Sequence, residues 1–265
     1  MKITEIKSKT ALSKSNLPGL DYSLNPYRGC QHSCAYCYVP NVLRIKRDDW
    51  GNFVEVKINI ANVLANELRN IKTGVVGIST VTDPYQPIEK KYKLTRFCLE
   101  QLLRYNFPVH VQTKSDLVLR DMDLISKFSD IEVMFSIGTI NDSERKLLEP
   151  NASSIQERLN AIKQISENGI KTSVFFGPIY PSLKIQDIAE IIDVFKAAGI
   201  SQIMIDGFNL KPGIKENIEL KIKENSDFSK LFSEKIFSQS EFYTAIRDDI
   251  YAIGNNNKIR VVDAF

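Results

Sequence analysis

Short β-branched runs alternate with amphipathic stretches along most of this chain, and that alternation limits the fold more than any other feature. The runs are Val75–Thr80, Val109–Thr113, Ile131–Ile137, Lys171–Phe176 and Ile200–Ile205. Most are nearly continuous in Val, Ile or Phe, as strands buried on both faces should be. Between them lie helical patterns over Ile60–Ile71, Thr95–Tyr105, Asp121–Phe128, Ser154–Asn168, Ile185–Ala198 and Ser240–Ile253. Gly169, Gly199 and Gly254 follow three of these patterns and read as residues that end helices. Repeated βα units imply a parallel sheet with right-handed crossovers. A first strand near Asp21–Arg28 brings the count to about six units, too few for an eight-unit barrel. The expectation is an α/β fold, a partial (βα)6 TIM-type barrel. A doubly wound sheet is the runner-up, but no Gly-rich dinucleotide fingerprint follows any strand.

No linker, repeat or low-complexity tract divides the 265 residues. They are read as one domain with a core at about 20–206. Residues 207–265 form a C-terminal irregular segment plus a helix and a tail. Leu210–Lys235, rich in Lys, Glu, Asn and Ser, reads as an irregular insertion or as a helix plus a loop. The net charge of +3 is too close to neutral to imply nucleic acid by itself. No apolar run approaches the roughly 18 residues of a membrane span. With no signal-peptide pattern at the start, the expected location is cytoplasmic. Only His32 and His110 are present, and no G-x-S-x-G, H-E-x-x-H or Walker motif occurs, which disfavours acid–base hydrolysis.

Three of the four cysteines, Cys30, Cys34 and Cys37, fall within eight residues in a C-x3-C-x2-C run. A disulfide scaffold would spread them, so the clustering points to metal. Three thiolates can hold three irons of a [4Fe–4S] cube and leave the fourth open. Structural zinc needs a fourth ligand, and His32 is the only nearby histidine. Three unrelated core cysteines are the remaining alternative. Gly29 permits a close backbone turn before Cys30. Cys98 sits inside a helical pattern and reads as a small core residue.

C-x3-C-x2-C with Tyr36 before the third cysteine resembles the signature of the radical S-adenosylmethionine (SAM) superfamily. The resemblance extends to its spore photoproduct lyase-like branch, which is related to DNA repair. It is carried by Tyr27-Arg-Gly-Cys-Gln-His-Ser-Cys-Ala-Tyr-Cys-Tyr38, Thr82-Asp-Pro-Tyr-Gln-Pro-Ile-Glu89 and Thr113-Lys-Ser115 with Arg120-Asp121. Glu149-Pro150 with Arg158-Leu159, and Pro178-Ile-Tyr-Pro181, continue it in order to about residue 181. The resemblance implies the superfamily's (βα)6 partial barrel. It also implies a [4Fe–4S] cluster on Cys30, Cys34 and Cys37, SAM on the open iron, and an electron donor such as ferredoxin or flavodoxin. Cleaved SAM would give a 5′-deoxyadenosyl radical that abstracts hydrogen from a substrate.

Strand ends supply the candidate SAM contacts, since barrel-type folds gather chemistry at one rim. Thr82 and Asp83 suit the SAM amino group. Lys114 and Arg158 suit its carboxylate, and Ser136 suits a ribose hydroxyl. By resemblance, Thr82, Lys114 and Ser136 match SAM-contacting positions. Tyr36 and Tyr38 flank Cys37 and are candidates for cluster cover or radical transfer. Thr80 stands where the lyase keeps a hydrogen-donating cysteine, and only 29 residues precede Cys30, so the resemblance does not carry thymine-dimer repair with it. The substrate expectation is nucleic acid or a nucleotide derivative, with Arg44, Lys46 and Arg47 as phosphate contacts. The same chemistry on a protein, lipid or small metabolite is the alternative. A non-catalytic metal-binding module for nucleic acid or protein is a third.

Overall fold

A computed structural model describes residues 1–238 and 241–264. The chain begins with β1 (Lys2–Ile6), β2 (Leu12–Lys14), β3 (Tyr22–Leu24), β4 (Tyr27–Arg28), the short helix α1 (Val39–Leu43) and β5 (Phe53–Lys57). It continues through α2 (Ile60–Glu67), β6 (Val76–Ile78), α3 (Glu89–Tyr92), α4 (Leu94–Arg104), β7 (Val109–Thr113), α5 (Met122–Ile125) and β8 (Ile131–Ser136). Then come α6 (Asp142–Leu148), α7 (Ile155–Glu167), β9 (Lys171–Phe176), α8 (Ile188–Ala197) and β10 (Gln202–Ile205). The chain closes with α9 (Ile214–Ile222), α10 (Ser226–Phe232), α11 (Phe242–Asn256) and β11 (Arg260–Asp263).

An eight-stranded sheet runs β11-β10-β9-β8-β7-β6-β3-β2. Every pair from β3 to β11 is parallel, and β2 joins antiparallel at one edge. Six strands in chain order, β3 and β6 to β10, make the expected six units. The edge strands β2 and β11 were not foreseen. The tail holds β11, whose Arg260–Asp263 pairs in register with Gln202–Ile205. The expected first strand divides in two. β3 belongs to the large sheet, whereas β4 pairs with β5 in a separate three-stranded sheet. Asn25-Pro26 separates them, and proline has no N–H to continue a ladder.

The helices follow the apolar spacing with small shifts. Ser154 caps α7 in a full capping box with Glu157. Gly169 and Gly199 take positive φ just beyond α7 and α8, as expected. Gly254 does not end its helix. It lies inside α11, where a Cβ would come within 2.4 Å of the Val261 side chain. The glycine therefore lets α11 lie close on β11. Ser240, the expected start of that helix, falls outside the described residues. The illegible Leu210–Lys235 segment forms α9 and α10. Ile214, Ile218 and Ile222 make a single i, i+4, i+8 stripe, and it packs with Phe228 and Phe232 against Ala35 and Tyr180. So narrow a stripe amid charged residues gives little amphipathic signal.

Gly29 sits at φ +89, and a Cβ there would lie 2.4 Å from the Phe53 carbonyl oxygen. The close approach is to β5. Gly29→Ala is expected to cost at least about 1–2 kcal/mol from the left-handed backbone alone, plus the clash. An unchanged melting temperature would contradict this.

Candidate active site

Strand register levels the C-terminal ends of the large sheet. Thr113 stands beside Phe135, Ser136 beside Phe175, and Ile205 beside Phe176. Asp83, Lys114, Ser136, Gly177 and Asp206 therefore follow their strands at one rim. The loop of Cys30–Cys37 reaches the same rim from β4.

That loop is fastened along its length by backbone and side-chain hydrogen bonds. The fully buried Gln86 accepts from the Gln31 N–H at 2.9 Å and donates to the Gly29 carbonyl at 3.2 Å. Gln31 accepts in turn from the Ile88 N–H. Asn151 donates to the Gln31 carbonyl at 2.8 Å, and its own carbonyl lies 3.0 Å from His32 Nδ1. Ala35 N–H donates to the Leu148 carbonyl at 2.8 Å, and Asn217 donates to the Ala35 carbonyl at 2.6 Å. Arg47 closes the far end on the Cys37 carbonyl at 3.0 Å. Gln86, Asn151 and Asn217 escaped sequence reasoning, because an isolated amide carries no spacing signal.

Asp83 is the central anchor. Its carboxylate accepts from Tyr85 N–H, Thr113 Oγ1 and Lys114 N–H, each at 2.8 Å, and lies 3.2 Å from His32 Nε2. Burial pushes its pKa up, but His32 and the backbone donors outweigh that and hold it down at about 2. The carboxylate is thus consumed in joining the cysteine loop to β7.

Arg158 is fully buried and equally committed. Its guanidinium donates to the Ser153 carbonyl at 2.9 Å, the Ser136 carbonyl at 2.7 Å and Glu149 at 2.5 Å. The sequence had it facing a ligand; the structure turns it onto its own chain. Burial pushes Glu149 up, yet Arg158 and Lys114 hold its pKa below the usual carboxylate range. Glu149 also accepts from the Tyr36 phenol. Lys114 Nζ sits 5.9 Å above the Tyr36 ring. Burial pulls its pKa down, but Glu149 and Cys34 carry it above the usual lysine range. Tyr36 meets Tyr180 and Phe208 edge-on, at 6.4 and 5.8 Å. Tyr38 is 41% exposed.

Three buried hydroxyls at this rim have no partner among the described residues: Ser79 Oγ, Thr82 Oγ1 and Tyr180 OH. Each forfeits hydrogen bonding that water would give it. Ser136 Oγ accepts from Gln112 at 3.1 Å and keeps its own proton to donate. Thr80 Oγ1 accepts from Asn25 at 3.4 Å. Of the basic trio after the loop, Arg47 is spent on Cys37 and Asn41, while Arg44 and Lys46 are exposed.

The donor set suits a thiolate-held cluster. All four cysteines are free. Burial pushes the thiols of Cys30, Cys34 and Cys37 up, so a bound cation is needed to hold them ionised. Nearby N–H groups favour the ionised thiol at two positions, those of His32 and Asp83 at Cys30 and those of Val39 and the Trp50 indole at Cys37. Among the described residues no three His, Cys, Asp or Glu side chains converge as a finished ligand set. The loop backbone is held in place by the hydrogen bonds above. Cys98 lies fully buried in α4.

Residues 24–195 match the model of the radical SAM superfamily. The chain belongs to that superfamily. Members carry a 4Fe–4S cluster and use SAM, so this radical SAM protein is an enzyme of SAM-dependent radical chemistry. It is 41% identical over 184 residues to an uncharacterised protein of Methanocaldococcus jannaschii, covering 69% of this chain and 70% of that one. It is 26% identical over 218 residues to the "Radical SAM Nalpha-GlyT isomerase" of Pseudomonas phage M6, covering 79% of this chain but 45% of the phage protein. Among solved structures, a spore photoproduct lyase variant with bound AdoMet and dinucleoside spore photoproduct superposes with a TM-score of 0.72. That likeness covers 99% of this chain and 82% of the lyase at 15% identity, and it shows the fold: the partial TIM-type barrel of radical SAM proteins. No helix among the described residues is long and apolar enough to cross a membrane.

Proposed function

We propose that Cys30, Cys34 and Cys37 hold the 4Fe–4S cluster, that SAM lies along the rim beside them, and that the substrate is a nucleic acid or nucleotide derivative. When bound, the cluster supplies the electron that splits SAM into methionine and a 5′-deoxyadenosyl radical, which takes hydrogen from the substrate. The observation that carries this reading is a pinned cysteine loop beside buried hydroxyls that no described residue satisfies.

The rim residues divide into contacts and supports. Thr82 Oγ1 accepts from the SAM amino group, and Lys114 pairs with its carboxylate. Ser136 donates to a ribose hydroxyl. Asp83 and Arg158, whose polar atoms are already engaged, position these contacts from behind. Tyr36 seats Lys114, and Tyr38 faces the mouth. The electron enters from a ferredoxin or flavodoxin. The resemblance to the spore photoproduct lyase-like branch, shared with a similar protein named spore photoproduct lyase in Clostridium acetobutylicum, supports a nucleic-acid or nucleotide-derived substrate. With Thr80 in place of the lyase's cysteine, the fate of the substrate radical differs from that enzyme's.

Reduction of the anaerobically reconstituted protein with SAM should release 5′-deoxyadenosine, and no release would refute the proposal. Thr82→Val adds a sharper check. The orphaned hydroxyl contributes nothing to the ligand-free fold, so stability should hold or rise by about 1 kcal/mol. SAM affinity should fall about tenfold for the lost hydrogen bond. Equal SAM binding by equilibrium dialysis would remove Thr82 from the site.

A further inference from the structure

We propose that Asp206 is the substrate-facing acid of this enzyme and accepts a ring N–H from a nucleobase seated at the mouth. The inference rests on the rim placement of SAM given above and names the group that meets the substrate there.

Elimination carries the first part. Around the mouth, Asp83 is filled by Tyr85, Thr113, Lys114 and His32. Glu149 serves Tyr36 and Arg158, and Glu144 accepts from Thr139 and Ser182. Asp263 accepts from Arg247 and Tyr251. Among the described residues no side chain donates to Asp206, and the backbone N–H of Gly207 is what favours its ionised form. A half-buried carboxyl with unused lone pairs is open to accept from a ligand.

Placement carries the second part. Asp206 follows β10, and a Cβ on Gly177, its neighbour after β9, would come within 3.0 Å of the Asp206 Cβ. The missing side chain at Gly177 lets the acid stand at the rim. On one side the Tyr243 ring lies 3.2 Å from where a Cβ on Gly207 would be. On another, the exposed Tyr38 is close enough to Asp206 for their charges to interact. An acid with two tyrosines in its neighbourhood suits a planar heterocycle with an N–H on its edge. Enzymes that act on bases read them in this way, by edge hydrogen bonds and aromatic stacking. Burial and Asp263 push the carboxyl up to about 6, consistent with a group that lacks donors.

The probe is the dinucleotide TpT and its N3-methylated form, in which each imide N–H is gone. Binding is measured by calorimetry on the reconstituted protein with SAM and without reductant. N3-methylation should weaken binding to the unaltered protein by about tenfold. In Asp206→Ala the two probes should bind alike. In Asp206→Asn, whose amide oxygen still accepts, part of the preference should remain. An equal methylation penalty in all three proteins would overturn the proposal. So would failure of TpT to bind, or the same Asp206 dependence for a short peptide. Release of 5′-deoxyadenosine by the unaltered protein reports separately on SAM placement, so the two ideas fail independently.

Discussion

Arg158→Met should cost about 3–5 kcal/mol of folding stability, because it strands a buried carboxylate. Arg158 is fully buried, and its ion pair with Glu149 has side-chain exposures of 0% and 1%. Removing the guanidinium also orphans the carbonyls of Ser136 and Ser153. Chemical denaturation checks the value. The double variant Glu149→Gln with Arg158→Met should recover part of the loss, since no uncompensated charge remains. Glu149 has a depressed native pKa, so its contribution is present above the usual glutamate range and is lost as pH falls through the native value. A loss within the ordinary range of surface substitutions would mean that the pair is not buried as described.

Cys34→Ala should have the opposite profile, with complete loss of bound iron and of SAM cleavage but a folded chain. The loop is pinned through Gln86, Asn151, Asn217 and Arg47, none of which uses the Cys34 thiol. Circular dichroism should therefore match the unaltered protein, while iron content falls to background. Cys98→Ala is the control. It opens a small cavity in α4 and lowers stability, with iron retained. Iron retained in Cys34→Ala would break the ligand assignment.

Much of this fold is visible in the sequence, because the strands of the large sheet are rich in buried Val, Ile and Phe. Lys171–Phe176 and Val109–Thr113 are strands within the expected bounds. β1, with four of its five residues exposed, has no such signature, and β11 is short and half-covered. Proline geometry, rather than polarity, divided the expected first strand. In the site, the cysteines and rim residues were legible by type and position. What each polar atom does was not. Asp83 and Arg158 are the residue types that bind charged ligands, and only the folded structure reveals that each of their polar atoms already has a protein partner. The supports Gln86 and Asn151 and the unpartnered hydroxyls of Ser79 and Tyr180 depend on three-dimensional neighbours that no spacing rule encodes.

The central claim is that three cysteines leave one iron open for SAM. Electron paramagnetic resonance of the anaerobically reduced, reconstituted protein, recorded with and without SAM, tests it most directly. The account predicts a [4Fe–4S] signal that changes on SAM addition. A signal identical in both samples, or no [4Fe–4S] signal at all, would contradict it.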